Sequence, residues 1–246
     1  MSDTDLQDSS ERLNKMLAAH LGIGRRQADE LIERRHVQVN GEQARLGQRV
    51  SALDSVIVDG QTISSKKAPL VYVLLDKPIG YVSSRAKQGD TPTVYELLPD
   101  EYQHLKTVGR LDKDTSGLLL MTNDGDLALQ LTHPRFGKQK SYITLLDRPL
   151  DPAHQKTITT NGVELADGQS VLGLEEMPGG DRREWRVTMS EGRNRQIRRT
   201  FAALGYTVVR LHRIEFGPWS IDQLHGRTFH VLVDNELKEI DHSSAK

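Results

Sequence analysis

Six residues, Ser64-Ser65-Lys66-Lys67-Ala68-Pro69, small, mostly polar and closed by proline, divide the chain. Such a stretch has no apolar face to bury and reads as a linker, so the residues on either side must each fold around a core of their own. The two sides differ in pattern. Leu13, Met16, Leu17 and Leu21 recur at helical spacing until Gly22 and Gly24 stop the run. A second helix is predicted from Arg25 through Arg35, with Ala28, Leu31 and Ile32 inward and Arg25, Arg26, Arg34 and Arg35 largely outward. Val37 and Val39 before Asn40-Gly41, and Val56-Ile57-Val58 before Asp59-Gly60, read as short strands with turn signals. Beyond the linker, strand-like runs (70–75, 142–146, 186–189, 228–233) alternate with helix-like ones (127–131, 195–204). That predicts an α+β domain with a mainly antiparallel or mixed sheet. The expected division is a disordered acidic tail over 1–10, a small domain over 11–63, the linker at 64–69, a large domain over 70–241 and a tail over 242–246.

A length of 246 residues accommodates both cores. Lys and Arg number 33 against 34 Asp and Glu, a formal charge of -1, so any nucleic-acid role must rest on local patches. One such patch exists: residues 11–67 hold ten basic and seven acidic side chains, a surplus of three. The absence of cysteine excludes disulfides, thiolate metal sites, cysteine-ligated clusters and thiol nucleophiles together. His133 and His212 have no second histidine at ligand spacing, so no metal is expected. No apolar run is long enough to span a bilayer, and the N-terminus lacks a basic and apolar leader, so no membrane partner and a cytoplasmic location are expected.

Two segments carry the chemistry. In the first, a polar loop, Gly109-Arg110-Leu111-Asp112-Lys113-Asp114-Thr115-Ser116-Gly117, runs directly into Leu118-Leu119-Leu120-Met121, which sets charged groups at the lip of a buried element. A plain turn before a core strand would read the same way. Asp112, Asp114, Ser116 and Gly117 also fit the start of a calcium loop, but the twelfth position is Asn123 and the intervening residues are apolar. Asp112 and Asp114 could further serve as a glycosidase carboxylate pair. The second segment spans Glu191 to Glu215 and contains Arg193, Arg195, Arg198, Arg199, Arg210 and Arg213 with no acid between. Ile197, Phe201 and Leu204 form its inner stripe, and phosphate contact is an economical reason for the charge asymmetry, a solvated basic helix being the simpler one.

Two short helices, the second basic on its outer face, followed by Val-Xaa-Val-Asn-Gly and Val-Xaa-Val-Asp-Gly resemble the alpha-L RNA-binding motif of a ribosomal protein and several RNA-modifying enzymes. Leu75-Asp76-Lys77-Pro78-Ile79-Gly80, then Gly109-Arg110-Leu111-Asp112 with Thr115-Ser116-Gly117, then Lys140-Ser141-Tyr142, then Gly192-Arg193-Asn194-Arg195-Gln196-Ile197-Arg198 resemble the ordered motifs of the pseudouridine synthases. The appended small domain and the Leu-Leu-Leu-Met-Thr-Asn-Asp-Gly tail are similar to the RsuA type, which modifies ribosomal RNA.

The resemblance implies a small alpha-L domain followed by a synthase domain. It implies Asp112 as the essential aspartate, Tyr142 against the uracil, Arg198 as the basic partner of Asp112, and Arg110 entering the RNA stack beside the displaced base. The remaining arginines singled out, Arg25, Arg26, Arg34 and Arg35 on the small domain and Arg193, Arg195 and Arg199 on the large one, are expected to bind RNA. Lys77-Pro78 and Leu111 read as scaffold, and the role of Asp114 stays open. Isomerisation adds no atom and changes no oxidation state, so no cofactor is expected. Ribosomal RNA is the expected partner, with a slight preference for the large subunit that rests on no residue, and the chain is expected to be a monomer. The rival from another class is a non-catalytic RNA-binding assembly factor.

Overall fold

The computed structural model describes residues 10–63, 69–86, 88–179, 181–233 and 236–237. The acidic tail expected over 1–10, except Ser10, the linker except Pro69, and the C-terminal tail lie outside the described residues. The chain makes two compact units, Met1–Leu70 and Val71–Lys246.

In the first unit, α1 (Leu13–Leu21) buries Leu13, Met16, Leu17 and Ala18 and ends at Gly22, whose φ of 66° closes the helix in the left-handed region open to glycine. Helix α2 (Arg25–Glu33) starts where the Gln27 side chain accepts the Gly24 backbone N–H at 2.8 Å, and it buries Ala28 and Ile32. It stops two residues before the predicted end. Arg35 has φ 62°, which a helix cannot continue through, so Arg34 and Arg35 occupy the turn into β1 (Val37–Val39). Strands β1, β2 (Glu42–Gln43), β3 (Val56–Val58) and β4 (Gln61–Ile63) form an antiparallel sheet in the order β2-β1-β3-β4. Val37, Val39, Val56 and Val58 alternate inward from β1 and β3 onto the apolar stripes of α1 and α2.

The second unit is built on a nine-stranded sheet whose main path uses seven strands: β5 (Tyr72–Lys77), β6 (Ser116–Thr122), β7 (Lys140–Leu146), β10 (Gly173–Glu176), β11 (Glu184–Met189), β12 (Val208–Phe216) and β13 (Phe229–Val231). A separate hairpin pairs β8 (Val163–Leu165) with β9 (Gly168–Ser170). The path runs β10-β11-β7-β12-β6-β5-β13, antiparallel throughout except where β12 meets β6. The α+β reading with a mixed, mainly antiparallel sheet therefore holds. Both faces of the sheet are covered. Val73, Leu75, Leu119 and Met121 pack on one side with Tyr142, Ile197 and Phe201, while Tyr72, Leu74, Leu118 and Leu120 pack on the other with Leu127, Leu131 and Trp219. A strand buried on both faces needs an unbroken apolar run, which is what β6 has. Helix α3 (Gly125–Thr132) begins at Asp124, whose carboxylate accepts the N–H groups of Asp126 and Leu127 at 3.0 Å each. Helix α4 (Gln196–Ala203) falls within the segment predicted for it. No helix among the described residues is long and apolar enough to cross a membrane.

One row across the sheet fixes the site. Lys77 of β5 lies opposite Gly117 of β6, Gly117 opposite Arg213 of β12, and Arg213 opposite Tyr142 of β7. The Gly109–Thr115 loop enters β6 immediately before that row.

Candidate active site

The loop that carries Asp112 is held at its backbone. Ser83 Oγ donates to the Leu111 carbonyl at 3.0 Å and the Leu111 N–H returns to Ser83 Oγ at 3.2 Å. The Gly80 N–H donates to the Lys113 carbonyl at 2.7 Å, the Thr115 N–H to the Asp112 carbonyl at 3.1 Å, and Arg198 Nη2 to the Asp114 carbonyl at 2.7 Å. Leu111 is buried in the core, so the loop is anchored from below as well. These bonds satisfy buried backbone groups and leave Asp112 and Asp114 projecting from a fixed frame. Lys77, buried completely, sits beneath it and donates from Nζ to the carbonyls of Pro78 and Thr115 at 3.0 and 2.6 Å. Burial pulls the Lys77 ammonium down to about 8, and the nearby charges of Asp112 and Asp114 oppose that shift.

A cavity of about 330 Å³ opens at this point, lined among others by Arg110, Asp112, Tyr142, Arg195, Arg198 and Arg213. Arg195 stands at the mouth of α4 with φ 47° and ψ 33°, a left-handed conformation uncommon for a side-chain-bearing residue. Its two Nη atoms bind the two carboxylate oxygens of Asp114 at 2.9 and 2.8 Å, and Nη1 lies 3.6 Å from Asp112 Oδ2. Arg198 is fixed by the carbonyls of Val208 and Asp114 at 2.6 and 2.7 Å, with Nε 3.3 Å from Asp114 Oδ2. The hydrogen bonds from Arg195, with the charge of Arg198 beside them, hold the Asp114 carboxyl below the usual carboxylate range. In the structure Arg198 engages Asp114 directly and meets Asp112 only through its charge, and the guanidinium nearest Asp112 is that of Arg195. The reason is reach, because the backbone anchors of Arg198 hold its head on the Asp114 side of the loop.

Tyr142 and Arg110 line the cavity as expected. Tyr142 is buried on β7 among Ile197, Leu111 and Met189. Arg110 is exposed and has neither ion pair nor hydrogen bond among the described residues, so its guanidinium is available at the mouth. Two of the expected RNA ligands of this unit are occupied otherwise. Arg193 donates to the carbonyls of Asp167, Gly168 and Gln169 at 2.8 to 3.0 Å and pairs with Asp167 and Glu191. Arg199 forks onto both carboxylate oxygens of Asp167 at 2.9 and 2.7 Å. Together they staple the β8–β9 turn to the start of α4. Arg210 pairs with Glu184. The acids missing between Glu191 and Glu215 are supplied from elsewhere in the chain, so most of that arginine surplus is neutralised in the fold. On the small unit Arg25, Arg26, Arg34 and Arg35 are all exposed, Arg25 touching Asn14 Oδ1 at 3.3 Å.

Three further cations stand at the site, Lys77 and Arg213 buried and Lys140 half-buried; Lys77 was expected to be scaffold, Lys140 only part of a motif and Arg213 only one of a basic run. Arg213 had a signal, since it stands two residues after Leu211 in a strand and so at an inward-facing position. No group of three or more metal-ligating side chains occurs among the described residues.

A family model described as RNA pseudouridylate synthase matches residues 71–203, and an S4 domain model matches residues 11–57. The chain belongs to the RNA pseudouridine synthases. A protein named ribosomal large subunit pseudouridine synthase B from Bacillus subtilis is 34% identical over 236 residues, covering 94% of this chain and 95% of that one. A ribosomal small subunit pseudouridine synthase A from Pasteurella multocida is 35% identical over 213 residues, covering 86% and 90%. A crystal structure of a pseudouridylate synthase superposes with a TM-score of 0.66 at 31% identity, covering 93% of this chain and 98% of its own. The synthase is therefore an isomerase, and the glycosidase and assembly-factor readings are withdrawn.

Proposed function

We propose that this synthase converts a uridine of ribosomal RNA to pseudouridine with Asp112 as the reacting carboxylate. The observation that carries the reading is a carboxylate on a pinned loop, at a cavity able to hold a base, with a guanidinium 3.6 Å away. The reaction draws on that carboxylate whether Asp112 attacks the sugar at C1′ or removes its 2′ proton. Tyr142 packs against the uracil and keeps it in place while it turns, and the cavity excludes the water that would otherwise capture the sugar. A uridine in folded RNA is out of reach of this cavity until it is everted, which costs a few kcal/mol of stacking and pairing; Arg110, free at the mouth, fills the vacancy.

Residues 11–63 serve as the RNA-binding domain and 70–241 as the catalytic domain, with Arg25, Arg26, Arg34 and Arg35 meeting phosphates of the same RNA. Arg195 contributes to the same field at the cavity, whereas Arg193 and Arg199 shape the wall. The relatives' names divide between the two ribosomal subunits, and the large subunit remains the preferred substrate here. The protein acts as a cytoplasmic monomer.

Ribosomal RNA transcripts carrying tritium at uracil C5 test the reading, because re-attachment through C5 displaces that hydrogen. Release that tracks one uridine in the large-subunit transcript is expected. Binding of the transcripts without release sinks the catalytic assignment, and release only from small-subunit RNA reverses the choice of subunit.

A further inference from the structure

Arg213 and Lys140 line the cavity without a part in the scheme above. Arg213 is 2% exposed; its Nε donates to the Leu118 carbonyl at 2.7 Å, and its guanidinium carbon lies 4.6 Å from the centre of the Phe216 ring. Its Nη2 is buried with no hydrogen-bond partner. Lys140 Nζ donates to the carbonyls of Lys138 and Glu191 at 3.1 and 3.5 Å and stands 5.7 Å from the centre of the same Phe216 ring. Neither has an ion pair among the described residues. Burial pushes the Lys140 pKa down, and the charge of Arg213 pushes it further. Setting two like charges beside one another, one buried and the other half-buried, with no carboxylate ion-paired to either among the described residues, is unfavourable, and apolar side chains would pack the same wall without that penalty. Two such cations on one cavity wall, neither ion-paired among the described residues, point to a negative partner that arrives with the substrate.

The chemistry supplies one. When the bond from N1 to C1′ breaks, its electron pair stays with the base, which becomes a uracil anion with charge spread over N1 and the two carbonyl oxygens. C1′ is taken up by the Asp112 carboxylate as an ester, or C2′ loses its proton to that carboxylate and a glycal forms. The ring then turns and C5 bonds to C1′, which releases the Asp112 carboxylate from the ester or, on the glycal route, returns its proton to C2′; the C5 proton then leaves to solvent and N1 takes one up, giving the neutral base and the free carboxylate.

We propose that Arg213 and Lys140 contact the carbonyl oxygens of the target uracil and stabilise the anion it becomes on leaving the sugar. Asp112 and the two cations thus act on opposite partners of the same cleavage, the first on the ribose and the others on the base. The register supports the division: Arg213 faces Tyr142 across the β7–β12 pairing, so the residue assigned to the uracil ring and the cation assigned to its charge share one rung of the sheet. Donors prepositioned in a dry site act strongly on charge that develops only in the reaction. This proposal rests on the reading of Asp112 above.

The test uses the whole protein and a ribosomal RNA transcript containing either uridine or 5-fluorouridine, followed in single turnover by nuclease digestion and mass spectrometry. Fluorine withdraws electrons, so the base anion needs less help from the protein. Lys140→Met and Arg213→Lys are expected to slow uridine consumption about 100-fold or more. The deficit of each should shrink at least about tenfold on 5-fluorouridine. Asp112→Asn should fail on both substrates. Equal deficits on the two substrates would show that the cations serve only the fold, and undiminished rates in both variants would remove them from the reaction. Lys140→Met decides the matter alone should Arg213→Lys lose its melting transition. Wild-type protein that consumes neither nucleotide overturns the synthase reading itself, a result distinct from either of the others.

Discussion

Asp114 takes both Nη atoms of Arg195, at 2.9 and 2.8 Å, while one of those atoms stands 3.6 Å from Asp112. The fork fixes the guanidinium beside Asp112 without closing on it. Asp114→Asn removes the charge that holds the fork, and Arg195 is then free to pair directly with Asp112 and mask it. Turnover is expected to fall about tenfold to 100-fold. Asp114→Glu should recover part of the loss, and unchanged single-turnover rates in Asp114→Asn would show that the fork has no bearing on the reaction. The lowered pKa of Asp114 also sets a sign. A carboxyl held low in the folded state adds stability above its unfolded pKa and loses it as pH falls through the folded value. The melting-temperature gap between wild type and Asp114→Asn should therefore be full at neutral pH and close on acidification.

Lys77 provides a second titration. Its ammonium is pulled to about 8 by burial, and the carboxylates of Asp112 and Asp114 resist that pull. Asp112→Asn removes one of the two, so the Lys77 midpoint should move below its wild-type value, as read from the side-chain carbon resonances by NMR. The stability linkage runs opposite to that of Asp114. With its folded pKa depressed, Lys77 disfavours the folded state below about 8, and stability rises with pH from there toward the unfolded value of 10.5. A midpoint near 10.5 in the native protein would contradict the buried placement.

The β6–β12 pairing depends on a missing side chain. Gly117 has φ +104°, and a Cβ there would lie 2.2 Å from the Arg213 carbonyl oxygen and 2.6 Å from the Arg213 nitrogen. Both are backbone atoms in the parallel β6–β12 pairing, so neither can swing aside. Gly117→Ala is expected to cost about 3 kcal/mol or more, which denaturant unfolding would measure. Because the strain falls on Arg213, activity should drop even at temperatures where the variant remains folded.

The motifs that align this chain with its family were legible because each is contiguous: Asp112 sits in its loop, Tyr142 two residues after Lys140, and the α4 arginines in a single run. The partners were not legible. Arg193 and Arg199 looked like free phosphate ligands because Asp167, which neutralises them, lies 26 and 32 residues earlier on a hairpin that carries little apolar signal. Arg198 was assigned to Asp112 by motif order, yet two backbone carbonyls decide where its head rests. Lys77 looked like part of a turn, and only the register opposite Gly117 reveals that it lies under the Asp112 loop. Strand β12 escaped notice since Arg210, His212 and Arg213 obscure its alternation, although Val208, Leu211 and Phe216 are all buried.

The small domain makes a prediction of its own. Arg26, Arg34 and Arg35 are exposed and hold no ion pair among the described residues, so each is free to meet a phosphate. Unlike Arg193 and Arg199, they would not have to break an internal contact first. Each phosphate contact releases condensed counterions, and losing one should lower the slope of log affinity against log salt by about one. Arg26→Ala combined with Arg34→Ala should thus weaken binding to ribosomal RNA and reduce that slope by about two, while the rate of the bound complex in single turnover changes little. Filter binding across a salt series measures the first and tritium release at saturating protein the second. A slope identical to wild type would place the RNA on another surface of the small domain, and a collapse of the saturated rate would mean that α2 does more than hold the substrate.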